Sequence, residues 1–358
     1  MKLLLTILCL LTIQLIAQSQ GCVAIRSAGG MCMAGHANDH ATESKWLLNV
    51  NTRYFKSFRH FRGEHEEKQR VAQNTEVINH TTAVDFTLTR NLKKAWSLAV
   101  GVPVVSNARS SLYEHDGKTR HSTHSFGIGD MRIVGYKWLW NPAMMPKGNI
   151  QAGIGIKLPT GDYRYQDYFY RNDSTQALGP VDQSIQLGDG GTGFSTELNA
   201  YYNISRSWGT YANAYYLFNP REQNGTSTAR GGTSSLTQIR NGSSVMSVPD
   251  QYMLRAGANF QIKNIQFSAG ARMEGIPSED VIGGSSGFRR PGYVITAEPG
   301  ITYTSKKVSV YSFVPIALKR NRTQSYADKI QTKKTGNYTI GDAAFADYAI
   351  NVGASFKF

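Results

Sequence analysis

Tyr348-Ala-Ile-Asn-Val-Gly-Ala-Ser-Phe-Lys-Phe358, the last stretch of the sequence, alternates without interruption. Tyr348, Ile350, Val352, Ala354, Phe356 and Phe358 share one face, and Ala349, Asn351, Gly353, Ser355 and Lys357 share the other. Successive side chains of a strand point to opposite faces, so an unbroken period of two with one apolar face predicts a strand that is wet on one side only. That pattern suits a soluble sandwich or the wall of a membrane barrel. The opposite end of the chain separates the two.

There, Lys2 precedes an apolar stretch from Leu3 to Ile16, and Ala17-Gln18-Ser19 has the small-x-small form of a cleavage site. Residues 1–19 are therefore expected to be a secretory signal peptide. No later stretch approaches the ~18 uninterrupted apolar residues of a spanning helix. An exported chain that crosses a membrane without such helices must do so as a closed barrel, because only helices and barrels satisfy every backbone group in lipid. A final amphipathic strand ending on phenylalanine also resembles the insertion signal of bacterial outer-membrane barrels, which makes the barrel-assembly machinery an expected partner.

Composition agrees. The chain has 35 Gly and 19 Tyr, only 18% charged residues, and a formal net charge of +14. A basic excess favours anionic partners, which in an outer membrane means lipopolysaccharide phosphates or anionic solutes; an exported barrel would not meet nucleic acid. Cys22 and Cys32, ten apart in a Gly-rich segment, are expected to form a disulfide in an oxidising periplasm.

Twelve strands are expected, at about 45–58, 78–90, 95–105, 124–140, 149–159, 193–205, 207–218, 252–263, 264–274, 292–304, 307–319 and 346–358. Their connections alternate between long and short, as in single-chain bacterial barrels with long external loops and short periplasmic turns. The fold expected is all-β, an antiparallel up-and-down transmembrane barrel over 45–358, with 20–44 as a short N-terminal segment. That segment reads either as a plug or as a periplasmic tail. A barrel of this size is wider than side chains alone fill and narrower than an open porin, so something is expected to enter it.

The alternation also assigns faces. Asn49, Asn51 and Arg53 lie opposite Trp46, Leu48, Val50 and Tyr54; Lys157 lies opposite Ile154 and Ile156; Arg255 lies opposite Leu254 and Ala256. Extending the rule places Asp85, Glu197, Arg272, Glu274 and Glu298 in the lumen as well. Arg53, Lys157, Arg255 and Arg272 are expected to attract anions, and Asp85, Glu197, Glu274 and Glu298 to pair with them or narrow the path. Aromatic residues near strand ends, among them Trp46, Trp96, Trp138, Trp140 and Trp208, suit interfacial girdles. His36 and His40 lie beside Met31-Cys32-Met33, but without a second ligand cluster no metal or other cofactor is expected. His60, His65, His115, His121 and His124 fall in or beside long loops and are expected to be solvated.

Three glycine-rich motifs carry a more specific signal: Gly127-Ile-Gly-Asp130, Gly153-Ile-Gly-Ile-Lys-Leu-Pro-Thr-Gly-Asp162 and Leu187-Gly-Asp-Gly-Gly-Thr-Gly193. Together they resemble the outer-membrane transporter family associated with the meta-cleavage pathway of phenol degradation, distantly similar to the long-chain fatty-acid transporters. The resemblance covers about a fifth of the chain and implies passive entry of small hydrophobic or aromatic compounds. Physically, Gly127 and Gly129 would let strands approach closely or kink, and Pro159-Thr160-Gly161-Asp162 would end a strand and turn into an external loop. Gly188–Gly193 lacks the Lys-Ser/Thr of a phosphate-binding loop and is expected to be a flexible turn.

The function expected is a passive outer-membrane channel or transporter for small solutes, with no enzymatic activity. The alternatives are a closed barrel with a surface-binding role and, less favoured, a barrel-embedded phospholipase, for which no local Ser-His signature is present.

Overall fold

The structure, a computed structural model, describes residues 45–93 and 95–358. The expected signal peptide, the 20–44 segment and the Cys22–Cys32 pairing lie outside the described residues.

Twelve wall strands run up and down around a closed barrel. They are Trp46–Arg62, Ile78–Asn91, Trp96–Ser111, a fourth in two pieces (His121–Ile128 and Met131–Trp138), Gly148–Leu158, Gly193–Asn203, Trp208–Phe218, Gln251–Ile262, Ile265–Ile276, Gly292–Thr304, an eleventh in two pieces (Val308–Phe313 and Ile316–Arg322), and Ala343–Lys357. Every neighbour pairs antiparallel, and the last strand pairs with the first, from Leu47 opposite Lys357 to Phe61 opposite Ala343. Closure leaves no sheet edge at membrane depth, as a spanning sheet requires.

The strand count and the long-short rhythm of connections agree with the sequence. The third strand runs six residues further than expected, to Ser111. Its extension holds Asn107, Arg109 and Ser111 buried inside the barrel, with Ser106, Ala108 and Ser110 on the other face. No apolar stripe marks it, so periodicity alone misses it.

Hydrophobicity is inverted relative to a soluble domain. Phe86, Ile154, Leu198, Leu254, Phe267, Ile301 and Val352 are exposed on the outer face, whereas Asn49, Arg53, Arg132, Glu197, Arg272 and Glu298 are buried inside. Such an outer belt is favourable only against lipid. Trp46, Trp96, Trp138, Trp140 and Trp208, the chain's full set of 5 tryptophans, all fall at the short-turn end of the wall.

The wall breaks its alternation where functional geometry sits. In the upper piece of the fourth strand Thr123 and Ser125 are buried and Phe126 and Ile128 exposed; below the break Arg132 and Val134 are buried. The inward positions thus switch from odd to even across Gly129-Asp130. A one-residue shift moves every side chain to the other face, so this break is what turns Arg132 into the lumen.

Two loop expectations are corrected. His60 lies within the first strand and is 3% exposed; its Nε2 accepts the Val77 N–H at 2.9 Å and its Nδ1 lies 2.6 Å from Asp342 Oδ2. His115 is also buried, with its ring against Phe169 and Tyr170 and its Nδ1 accepting the Tyr170 N–H. Both were expected to be solvated because they fall near loops in sequence, but the loops fold back over the barrel mouth. His65 and His124 are exposed.

Candidate functional site in the lumen

Eight charged side chains form a belt across the barrel. Arg255 pairs with Glu298, and Arg272 lies between Glu274 and Glu298, with its Nε 3.1 Å from Glu274 Oε2 and its Nη1 3.6 Å from Glu298 Oε2. Arg132 donates to Glu197 Oε1 at 2.5 Å, and the Tyr136 hydroxyl donates to Glu197 Oε2 at 2.8 Å. Arg53 and Asp85 complete the belt on neighbouring strands, with Asn51 directly opposite Asp85 in register. The guanidinium groups also stack on rings: Arg132 lies 4.7 Å from the Tyr215 centroid, and Arg255 lies 5.3 Å from Tyr211 and 5.1 Å from Phe313. Planar, weakly hydrated guanidinium suits this double role of ion pairing and stacking. The belt's opposite charges are matched, so its local field is that of dipoles and not of a net cation.

Just above it the three glycine-rich motifs converge on Asp130. Its Oδ1 accepts the Gly161 N–H at 3.0 Å, its Oδ2 accepts the Asp189 N–H at 3.1 Å, and Lys157 Nζ lies 3.3 Å from Oδ2. Lys157 also pairs with the Asp189 carboxylate. Thr160 bridges the break in the wall, donating from Oγ1 to the Gly129 carbonyl at 2.8 Å and accepting the Met131 N–H at 2.9 Å. Gly188 is required by space: a Cβ there would meet the Asp130 carboxylate and lie 2.6 Å from the Gly161 carbonyl oxygen. The expectation of a flexible turn at Gly188–Gly193 is therefore corrected, since the segment is stapled to the wall through its backbone.

The staple carries the 159–192 connection inward. After Leu158 the chain was expected to turn into an external loop; instead it forms a hairpin of Gln166–Tyr170 with Gln176–Pro180 and then drops into the barrel. Val181, Ile185 and Leu187 are buried there. The Ile185 carbonyl accepts hydrogen bonds from Ser125 Oγ at 2.5 Å and Asn107 Nδ2 at 3.3 Å, fixing the loop to the third and fourth strands. Asp182 anchors it from above, accepting Arg290 through both guanidinium nitrogens at 2.8 and 2.7 Å. Burial alone would push the Asp182 carboxyl up, but Arg109, Arg290 and Arg230 outweigh it and hold it well below the usual carboxylate range. Glu114, bound by Arg109 at 2.9 and 2.6 Å, is likewise held low, with burial opposing and Arg109 and Arg230 prevailing.

Between loop and belt lies a cavity of about 110 Å³, measured to the centres of water-sized spheres. Its wall and roof include Phe55, Ala83, Val105, Leu187, Leu217 and Met246, and Arg53, Arg132 and Lys157 present polar ends to it. All eight lumen residues expected from alternation point inward, and the belt brings seven of them together; Lys157 belongs to the staple above. Sequence reasoning missed Arg132, Asp130 and Asp189 as site residues. Arg132 was missed because the fourth strand was read as one continuous span, 124–140, along which no faces were assigned. Asp130 and Asp189 stood inside the quoted motifs, but nothing in their spacing announces that segments sixty residues apart share one lysine.

The closed wall, its apolar outer belt and its polar, loop-filled lumen define an integral bacterial outer-membrane β-barrel. Among solved structures the chain is similar to the COG4313 outer-membrane channel from Pseudomonas putida F1, at 11% identity and a TM-score of 0.58, covering 88% of this chain and 96% of that one. Weaker likenesses join it to the CymD monoaromatic hydrocarbon channel (10% identity, TM-score 0.45, 94% of each chain) and to a Pseudomonas aeruginosa FadL homologue (8% identity, TM-score 0.40, 88% of this chain and 90% of that one). At such identities the likeness concerns the fold alone. No protein-family model and no curated protein matches the chain.

Proposed function

We propose that the barrel is a passive channel for small solutes with a hydrophobic or aromatic body, moving them down their gradient without chemistry. The observation that carries this reading is the cavity under the inward loop, where apolar side chains from wall and loop meet the polar ends of Arg53, Arg132 and Lys157. A largely apolar pocket with a few fixed polar groups is the usual form of a small-molecule site. The resemblance of the glycine motifs to the phenol-degradation transporter family, and the aromatic hydrocarbon named for one structural neighbour, point to the same solute class. The belt's paired charges would hold the path narrow and discriminate by size and dipole.

Uptake of a small aromatic into proteoliposomes tests this reading. Entry should exceed that of protein-free vesicles and of a hexose of greater size and polarity. Equal entry of both solutes at the protein-free rate contradicts it.

One specific observation favours a second reading. Arg272, Glu274 and Glu298 are almost fully buried in mutual pairs, as in a barrel closed at its waist that works through its external loops. Such a barrel would pass neither solute.

A further inference from the structure

The formal excess of +14 does not reside where charges were expected to act. In the lumen belt and the external loops, bases meet acids: Arg59 with Glu66, Arg109 with Glu114, Arg289 with Asp280, Arg290 with Asp182. At the short-turn end they do not among the described residues. Every one of the five turns carries Lys or Arg among its described residues, namely Lys93, Lys147, Arg206, Lys263, Lys306 and Lys307, with Lys94 adjoining Lys93 in the sequence, and none contains an Asp or Glu.

These cations sit at a definite depth. Arg90 and Lys137 face outward at the base of the wall, each opposite a girdle tryptophan in register, Trp46 with Arg90 and Trp96 with Lys137. Their charged groups lie 5.1 and 4.9 Å from the indole centroids, and Lys147 lies 5.7 Å from the Tyr202 ring. Girdle aromatics mark the level of lipid headgroups, and long basic side chains beside them place their charge in the headgroup layer. From Trp46 to Tyr54 the outer face of the first strand runs about 26 Å at ~3.3 Å per residue, or about 20 Å along the membrane normal at a tilt of ~40°, most of the ~25 Å height of a barrel's apolar band. The basic ring therefore lies in the periplasmic leaflet and not the external one.

We propose that this rim is a binding surface for anionic phospholipid headgroups of the periplasmic leaflet. A ring of phosphodiester charges offers each turn a partner that the protein itself withholds, and it fixes the barrel's depth and tilt. Lipopolysaccharide phosphates, expected as the anionic partner from net charge alone, face the opposite end, where acids and bases are paired.

The chain supplies its own reporter, because all the tryptophans lie at this rim. The full mature chain is refolded into phosphatidylcholine vesicles, and tryptophan quenching by brominated phosphatidylglycerol is compared with that by brominated phosphatidylcholine. Folding is verified by heat-modifiable migration. Engagement of one cation per lipid predicts about a fivefold preference for the anionic lipid at low salt, falling toward parity near 1 M salt, where screening acts over ~3 Å. A variant with six of the seven turn cations replaced by Gln (Lys93, Lys147, Arg206, Lys263, Lys306, Lys307) should fold and lose most of the preference. Equal quenching by the two lipids at low salt overturns the proposal, as does a preference unchanged in the folded six-site variant. Failure of solute uptake bears on the channel reading and leaves this test untouched.

Discussion

Asp130→Ala should release the inward loop while leaving the barrel intact. Asp130 accepts two backbone N–H groups, from Gly161 and Asp189, and shares Lys157 with the Asp189 carboxylate. Hydrogen bonds to a charged acceptor contribute ~1.5–3 kcal/mol each. Two of them suggest about 3–6 kcal/mol, but removing Asp130 also relieves its repulsion with Asp189, and Lys157 keeps one partner. The lower end, about 3 kcal/mol, is expected. That corresponds to roughly a hundredfold rise in the undocked fraction of residues 159–192, since ~1.4 kcal/mol is tenfold. When opening is fast relative to cleavage, proteolysis tracks the open population. Limited proteolysis of the folded barrel should therefore cut within 159–192 on the order of a hundred times faster, with the wall fragments still migrating as a heat-modifiable barrel. Cleavage at the wild-type rate would refute the staple, and global loss of the barrel would show that Asp130 supports the wall instead.

The other predictions concern the same architecture. Gly188→Ala should undock the loop as Asp130→Ala does, because the new methyl meets the Gly161 carbonyl at 2.6 Å; Gly117→Ala, with open space around it and φ +75°, should cost only about 1–2 kcal/mol of local strain and leave proteolysis unchanged. Arg255→Glu leaves Glu298 facing a second acid, at a cost of ~3–5 kcal/mol, read as a lower midpoint of heat modifiability; adding Glu298→Gln, which removes the facing charge, should recover part of it, and no recovery in the double variant would deny the pair. Asp182 and Glu114 have carboxyls lowered in the folded state, so their contribution is fully present above the ordinary carboxylate value and lost only as pH falls through the lowered one. The share of loop protection that Asp182→Asn removes should thus stay constant from neutral pH down to about 4 and fail only below that; loss of that share already at pH 5 to 6 would contradict the assignment.

The wall was legible in the sequence because lipid enforces it. Ile150, Ile154 and Ile156 must face out and Lys157 in, and one residue of slip would expose the charge to hydrocarbon. Seven of the belt's eight charged residues, and Lys157 above them, followed from the same parity. Legibility ended where parity is broken, at Gly129-Asp130, and Arg132 went unnamed as a lumen residue. It ended again at the loops, because Pro159-Thr160-Gly161-Asp162 announces a turn but not its direction. That direction is set by the Asp130, Lys157 and Asp189 contacts, which join residues far apart in sequence. His60 and His115 were misjudged for the same reason: sequence proximity to a loop carries no information about what folds over it.

The central claim is that the lumen is a passive path for small solutes, held narrow by the charged belt and the stapled loop. Single-channel recording of refolded residues 20–358 in a planar bilayer tests it most directly. The account predicts a small, steady conductance in the wild type, and a larger one in Asp130→Ala as the loop leaves the lumen. Silence in both, with barrels shown to be folded, would contradict it and establish a barrel closed at the Arg255, Arg272, Glu274 and Glu298 belt.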